Sequence, residues 1–241
     1  MVRRLEIDVV HSHLQQSDLL SALTPHGRPR VSTQHSSQDG SSSAVARFAW
    51  QAAAKTSFRM DAVVACAPSA RRVATEFGYT FPAAKMPVIV NGTATAPAPS
   101  PDPGGQRLLH LGRFAPAKDH RTLLEAMALV HERLPGTTLR CAGNGVDEDN
   151  DELTSWRREL GLEGSVELCG TISDVRSELR AADALVFSSS TEALPMAGIE
   201  ALSEGLPVVT TDAGDAGLLA VDEHLLCPPR DPRALAERLL W

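Results

Sequence analysis

The chain has 241 residues, 43% of them apolar and 22% charged, close to the averages of a globular domain. Disordered, coiled-coil and collagen-like classes are thereby excluded, and roughly 100–200 residues per domain allow one large domain or two small ones. The net charge of −7 and isoelectric point near 5.6 give no overall basic field for nucleic acid, and 4% aromatics with one tyrosine are too few for base-stacking platforms.

In chain order, Asp8–Ser12 reads as a strand and Asp18–Leu23 as a short helix. Arg30–Gln34 is a second strand, followed by a helix near Ala44–Arg59. Ala62–Cys66 and Pro87–Val90 are further strands, with a helix near Ser69–Phe77 between them. The stretch TATAPAPSPDPGGQ, residues 93–106, has no periodicity; proline removes donors and favours extended chain, so this is an expected linker. A long surface loop is the other reading, although loops of this length are uncommon inside one domain.

After it the alternation restarts. Arg107–Leu111 is a strand, and Asp119–Leu134 a helix with Leu123, Leu124, Met127, Val130 and Leu134 on one face. Strand Thr138–Ala142 precedes a helix over Asp151–Leu160 stopped by Gly161. Strand Ser165–Cys169 leads to a helix capped by Ser173 and ending near Ala182. Strand Ala184–Phe187, a helix from Pro195 to Glu204 closed by Gly205, strand Pro207–Thr210 and helix Pro232–Leu240 complete the series. Strands alternating with helices predict an α/β fold with parallel sheets.

Cys66, Cys141, Cys169 and Cys227 form no C-x-x-C pair and each adjoins an apolar stretch. They read as buried, reduced thiols rather than metal ligands. No segment approaches the roughly 18 apolar residues of a spanning helix, and Glu6 and Asp8 break any apolar signal-peptide core. The expectation is a cytoplasmic protein, with peripheral contact at the inner membrane face left open.

Ligands of open parallel sheets bind where strand ends give way to helix starts. In His110–Asp119, strand end Leu111 leads into Gly112, a bare backbone, and then into Arg113 and Lys118 on one loop. Arg offers a planar fork and Lys a point charge, a complementary pair for a diphosphate; two solvated surface cations fit the same spacing. In Ser188–Glu200, Pro195 suits the first helical position and leaves the neighbouring amides aimed outward as an anion site. Glu192 lies in the loop ahead, and Glu200 stands about 6 Å along the helix axis from Met196. Glu200 there can accept two hydrogen bonds from a ribose diol, and Glu192 the hydroxyls of a sugar on the same phosphate. Alternatively, both glutamates only favour the positive end of the helix dipole.

The pattern Gly112-Arg113-x4-Lys118, followed by Glu192-x7-Glu200, resembles the retaining glycosyltransferases of family 4, which have the GT-B fold. Further similar stretches are Asp8–His13, Ser32–His35, Asn91-Gly92, Ala142–Gly145, Ala181–Leu185 and Gly205–Asp212, collinear over nearly the whole chain. The resemblance implies two Rossmann-like parallel-sheet domains, the first incomplete: residues 1–92 on the acceptor side, a linker at 93–106, and residues 107–241 binding a nucleotide sugar. It implies that Arg113 and Lys118 bind the diphosphate, Glu192 the donor sugar and Glu200 the ribose, with Gly112 and the amides of Leu194 and Met196 beside the distal phosphate or sugar. His35 matches a histidine directed at the reacting sugar, or is a strand-end histidine with a structural hydrogen bond. His11 and His13 also fit the pattern, and Gly143 and Gly145 read as a tight bend.

The implied reaction moves a sugar, with retention, from a nucleoside diphosphate sugar to a glycan or lipid-linked acceptor, in the making of envelope glycans or exopolysaccharides. Cationic groups stand in for a metal, so no metal and no cofactor is expected. Some positions depart from the pattern. The family's opening strand with its glycine-rich loop and its terminal helix have no counterpart, Ala193 stands where a glycine is common, and Gly214-Asp215 lacks a later acidic residue. These departures imply truncation at both ends and keep two alternatives: a non-catalytic nucleotide-binding relative, and a GT-B nucleotide-sugar epimerase. A glycosidase using Glu192 and Glu200 would leave Arg113 and Lys118 without a role.

Overall fold

Apolar strands too short to bury both faces alone must be covered by the helices that connect them. The computed structural model shows this arrangement twice and describes residues 6–25, 27–35, 44–79, 86–95 and 106–241. The chain divides into two compact units, Met1–Asn91 and Gly92–Trp241.

In the first unit, β1 (Val10–His13), α1 (Gln15–Leu23), β2 (Arg30–Gln34), α2 (Ala44–Thr56), β3 (Ala62–Ala65) and α3 (Pro68–Glu76) alternate. The strands form a parallel sheet in the order β1-β2-β3. Its core gathers Trp50, Ala53, Met60, Val63, Val73, Tyr79 and Met86, with Trp50 stacked on Phe77 at 4.9 Å. A polar knot lies within the same unit. The buried Asp18 carboxylate accepts from Ser12 Oγ at 2.6 Å, Ser32 Oγ at 2.7 Å, Gln34 Nε2 at 2.7 Å and Tyr79 OH at 3.1 Å. Burial, and then the Asp18 charge, push the Tyr79 phenol well above its usual range.

The second unit runs β4 (Arg107–Leu111), α4 (His120–Arg133), β5 (Thr138–Ala142), α5 (Asp151–Glu159), β6 (Val166–Leu168), α6 (Val175–Ala181), β7 (Ala184–Phe187), α7 (Met196–Ser203), β8 (Val208–Thr211), β9 (Leu226–Cys227) and α8 (Pro232–Leu239). All neighbouring strands pair in parallel, in the order β6-β5-β4-β7-β8-β9. Strand alternation splits the apolar residues between two cores. Leu108, Val186 and Val209 join Leu123, Met127 and Leu235 in one, whereas Leu109, Leu185, Phe187 and Val208 join Leu179 and Leu219 in the other. Gly198 lets α7 sit close on the latter, because a Cβ there would lie 2.3 Å from Leu219 Cδ1 and 3.1 Å from Phe187 Cε2.

Several expected boundaries move. Pro87–Val90 is no strand; its pairing is a single bridge between Val88 and Ala65, since Pro87 brings no N–H to a ladder. The cap of α6 is Asp174, whose side chain accepts from Ser177 N at 3.0 Å, so Ser173 stands one residue too early. Pro195 is the N-cap of α7 rather than its first residue. Leu134 falls just past α4 and is exposed. Helix α1 starts at Gln15, three residues before the expected start at Asp18, and β9 was not foreseen. Gly161 and Gly205 follow helix ends with φ of +67° and +77°, as helix-stopping glycines do. Of residues 93–106, 96–105 lie outside the described residues. Cys66, Cys141 and Cys227 are buried, but Cys169 is only partly so; burial raises the Cys169 and Cys227 thiols to about 11. Among the described residues no helix is long and apolar enough to cross a membrane.

Asp18→Ala removes the common acceptor of four buried donors. Hydrogen bonds to a charged group are worth about 1.5–3 kcal/mol each and are not additive, so a loss of about 3–5 kcal/mol is expected, with Asp18→Asn costing less because one acceptor oxygen remains. Urea unfolding followed at Trp50, with Trp156 and Trp241 changed to Phe, reads this unit; an unshifted midpoint would show that the network adds nothing.

Candidate functional site at the sheet's switch point

After β4 the chain moves outward through β5 to β6, then returns to place β7 on the opposite side of β4. Connections leave β4 and β7 in opposite directions, and the crevice at their carboxyl ends is where open α/β sheets take ligands. The loop after β4, ending in a 3-10 turn at Pro116–Lys118, is tied to the loop after β5. Gly112 N donates to Ala142 O at 2.9 Å and Phe114 N to Asn144 O at 2.8 Å. Gly143 makes this approach possible: at φ +155°, a Cβ would fall 2.2 Å from Gly112 O and 2.9 Å from Arg113 N. The expected tight bend is present, with Val146 N donating to Gly143 O.

The loop after β7 clasps the first loop. Ser188 Oγ donates to Lys118 O at 2.8 Å, and Ser190 N donates to Ala117 O at 2.8 Å. Thr211 Oγ1 donates to Ser189 O at 2.6 Å from β8. These bonds bring Lys118 Nζ into an ion pair with Glu192 Oε1, which also accepts from Ser189 Oγ at 2.8 Å. The Lys118 and Glu192 side chains are only 19% and 12% exposed. Gly214, at φ +63°, lies against the Glu192 backbone, where a Cβ would come 1.8 Å from Glu192 O.

Arg113 is exposed and forms no ion pair among the described residues. Glu200, on α7, is half-buried and likewise without an ion pair there. Pro195 gives α7 no side-chain cap, and the amides of Leu194, Met196 and Ala197 find no acceptor among the described residues. One crevice thus holds a free guanidinium, an ammonium paired to a carboxylate, uncapped amides and a second carboxylate one turn up the helix. Such a set of groups has the chemistry to receive a polyanion carrying hydroxyls. His35 lies in the other unit, just after β2, hydrogen-bonded to His13.

Two buried histidines lie beside the Gly112 loop. His110 Nδ1 donates to Val186 O at 2.9 Å, its ring meets His120 edge to face at 4.8 Å, and its Nε2 is buried without a partner. Burial first, then His120, lower His110 to about 3; burial first, then Lys118, lower His120 to about 4. Both rings are neutral in the folded chain and bound by protons near 6.5 when unfolded. Sequence reading did not assign these rings a role, nor Ser188, Ser189 or Thr211; a lone histidine inside the apolar run of β4 was the available signal. A cavity of about 700 Å³ lies at the amino ends of β4, β5 and β6, but its Arg107, Arg140 and Arg157 are each paired with carboxylates.

The fold defines the class: an α/β protein of GT-B type whose second unit is Rossmann-like, with this crevice at its switch point. Residues 105–241 match the family described as glycosyl transferases group 1, and residues 1–96 match glycosyltransferase family 4. The chain belongs to the group 1 glycosyltransferases. It is 39% identical over 104 residues to the lipopolysaccharide core biosynthesis glycosyltransferase LpsE of Rhizobium meliloti, covering 43% of this chain and 29% of that one. It is 29% identical over 245 residues to the glycogen synthase of Mycobacterium tuberculosis, covering 95% and 58% respectively. The chain thus spans well under two thirds of these relatives. Among solved structures, Anabaena HepE in complex with UDP-glucose superposes with a TM-score of 0.80 at 23% identity, covering 97% of this chain and 68% of that one. TarM does so with 0.84 at 17% identity, covering 99% and 49%.

Removing one partner of a buried ion pair costs roughly 3–5 kcal/mol, and the residual exposure of this pair sets Lys118→Met at about 3 kcal/mol; Arg113→Met, exposed, is expected within about 0.5 kcal/mol. Chemical denaturation of the two variants checks the contrast, and equal costs would overturn the pairing. Because the unfolded chain binds protons to both histidines first, stability is full above about pH 6.5 and falls as pH drops toward 4. A shallower acid decline in His120→Leu is expected in melting temperatures taken across that window; an unchanged slope would refute it.

Proposed function

We propose that the protein transfers a glycosyl group, with retention, from a nucleoside diphosphate sugar to a hydroxyl of a glycan or lipid-linked acceptor. The observation that carries this reading is the meeting of Lys118 and Glu192 beside the unpaired Arg113 and the uncapped start of α7. In this reading the diphosphate replaces Glu192 as the partner of Lys118, Arg113 takes a second pair of phosphate oxygens, and the amides of Leu194 and Met196 meet the phosphate or sugar. Glu192, released from Lys118, accepts sugar hydroxyls, and Glu200 accepts the ribose diol. The bond from the anomeric carbon to the phosphate oxygen breaks, with its electron pair leaving on the diphosphate. The two cations stabilise that charge, a contribution of about 10²–10³-fold per group in comparable sites. The acceptor oxygen attacks from the same face and gives its proton to the departing phosphate. By its resemblance to the family pattern His35 is taken as a residue that meets the sugar substrate, and the cations fill the role of a metal.

The family membership supports the reaction class, and HepE solved with UDP and with UDP-glucose supports a uridine donor. A protein working at the cytoplasmic face, in contact with the membrane that carries its acceptor, suits a lipid-linked substrate. A ligand at a hundred times its Kd stabilises by about 2.7 kcal/mol, a rise of roughly 5–10 °C for a chain of this size. We expect this rise with one of UDP, GDP or ADP, a smaller one or none with the monophosphate CMP, and its loss in Glu200→Gln. A cooperative melt unmoved by all four would overturn the nucleotide pocket.

A further inference from the structure

Strands β1 and β2 run parallel in register from Val10 opposite Arg30 to His13 opposite Thr33. Their alternate residues carry two separate polar sets. Ser12, Ser32 and Gln34 turn to the buried Asp18. The intervening His11, His13, Thr33 and His35 make a second set that the network around Asp18 does not use. His11 Nε2 lies 2.7 Å from Thr33 Oγ1, and His13 Nδ1 lies 2.8 Å from His35 Nε2. The His13 and His35 ring centroids lie 5.1 Å apart with 29° between planes, as two rings meeting through their edge nitrogens do, and the His11 and His13 centroids lie 4.3 Å apart.

A separation of 2.8 Å between two imidazole nitrogens holds one proton, so one ring donates and the other accepts. A free neutral imidazole prefers its proton on Nε2. That preference makes His35 Nε2–H the donor and His13 Nδ1 the acceptor, so both rings keep their favoured tautomer. His35 then carries a bare lone pair on Nδ1. His13 is itself anchored on both sides, by its β1 pairing and by Leu14. The latter is held at φ +73° with its carbonyl accepting from Asp18 N at 3.0 Å; a non-glycine residue in such a conformation costs about 1–3 kcal/mol and needs its surroundings to hold it.

We propose that His13 is a positioning residue for His35: by accepting the Nε2–H it fixes one tautomer, so that a bound substrate meets the Nδ1 lone pair and must bring a hydroxyl that donates to it. This inference rests on the reading of His35 as a site residue given above. Electrostatics agree with it. Burial first, then His13, then His11, hold His35 below the usual histidine range, and the Asp18 charge acts on His11 in the opposite sense. A proton on His35 Nδ1 is therefore opposed, and the lone pair stays available near neutral pH.

The test is two-bond ¹H–¹⁵N spectroscopy of the ¹⁵N-histidine-labelled chain, beside His13→Phe and His13→Asn. The expected wild-type His35 shows Nε2 protonated and Nδ1 bare. His13→Phe should give a mixture of tautomers and a higher titration midpoint, whereas His13→Asn, whose Oδ1 takes the place of Nδ1, should restore the single tautomer. A wild-type His35 that is mixed or Nδ1-protonated overturns the proposal, as does a His35 spectrum identical in wild type and His13→Phe. The nucleotide-induced rise in melting temperature is measured on the same samples. Its absence from the wild type would overturn the proposed function while leaving the tautomer result readable.

Discussion

The reversal of strand order at β4 is the constraint from which the site follows. Because β5 and β7 flank β4 on opposite sides, the loops leaving β4 and β7 part into helices that diverge, and their first residues face one crevice. Two close approaches complete it. Gly143 admits the Gly112 loop and Gly214 admits the Glu192 backbone, each at a distance that a Cβ would forbid. Backbone and hydroxyl bonds from Ser188, Ser190 and Thr211 then lock the two loops together. The Lys118–Glu192 pair is the result of this closure and not its cause, since a partly exposed ion pair alone brings little net stability.

The first unit solves a different problem with the same alternation. A three-stranded parallel sheet has little apolar area to offer, and beside its apolar cluster polar groups converge on Asp18. A buried carboxylate without a cation persists only when its lone pairs are filled by donors, and here strands β1 and β2 and Tyr79 supply them. Because successive strand residues face opposite ways, satisfying Asp18 with Ser12, Ser32 and Gln34 leaves His11, His13 and Thr33 for another purpose. The histidine cluster is thus tied to the same strands that build the polar core.

Legibility in the sequence followed the strength of local signals. Arg107–Leu111, Thr138–Ala142 and Ala184–Phe187 were readable to the residue as strands because apolar runs between turn residues leave little ambiguity. The helix stops at Gly161 and Gly205 were readable because only glycine takes that backbone cheaply. Ser173 and Asp174 are both good caps, and the choice of Asp174 depends on which side chain reaches Ser177 N. Pro87–Val90 looked like a strand by composition, but pairing needs a neighbour and a donor, and the chain provides one bridge. In the candidate site, Gly112, Arg113, Lys118, Glu192 and Glu200 were visible as chemistry-bearing residues at strand ends. The serine and threonine clasps and the buried His110 and His120 were not, since polar residues next to apolar runs carry no sign of their partners.

By itself, the sequence determined the alternation of strands and helices, the family and the residues that bear charge at the strand ends, because these depend on residue type and short spacing. The tertiary structure alone decided that Lys118 would pair with Glu192, 74 residues away, that Asp18 would collect donors from β1, β2 and Tyr79, and that His13 would meet His35. Such partners are fixed by strand order and register, and a one-dimensional pattern carries neither.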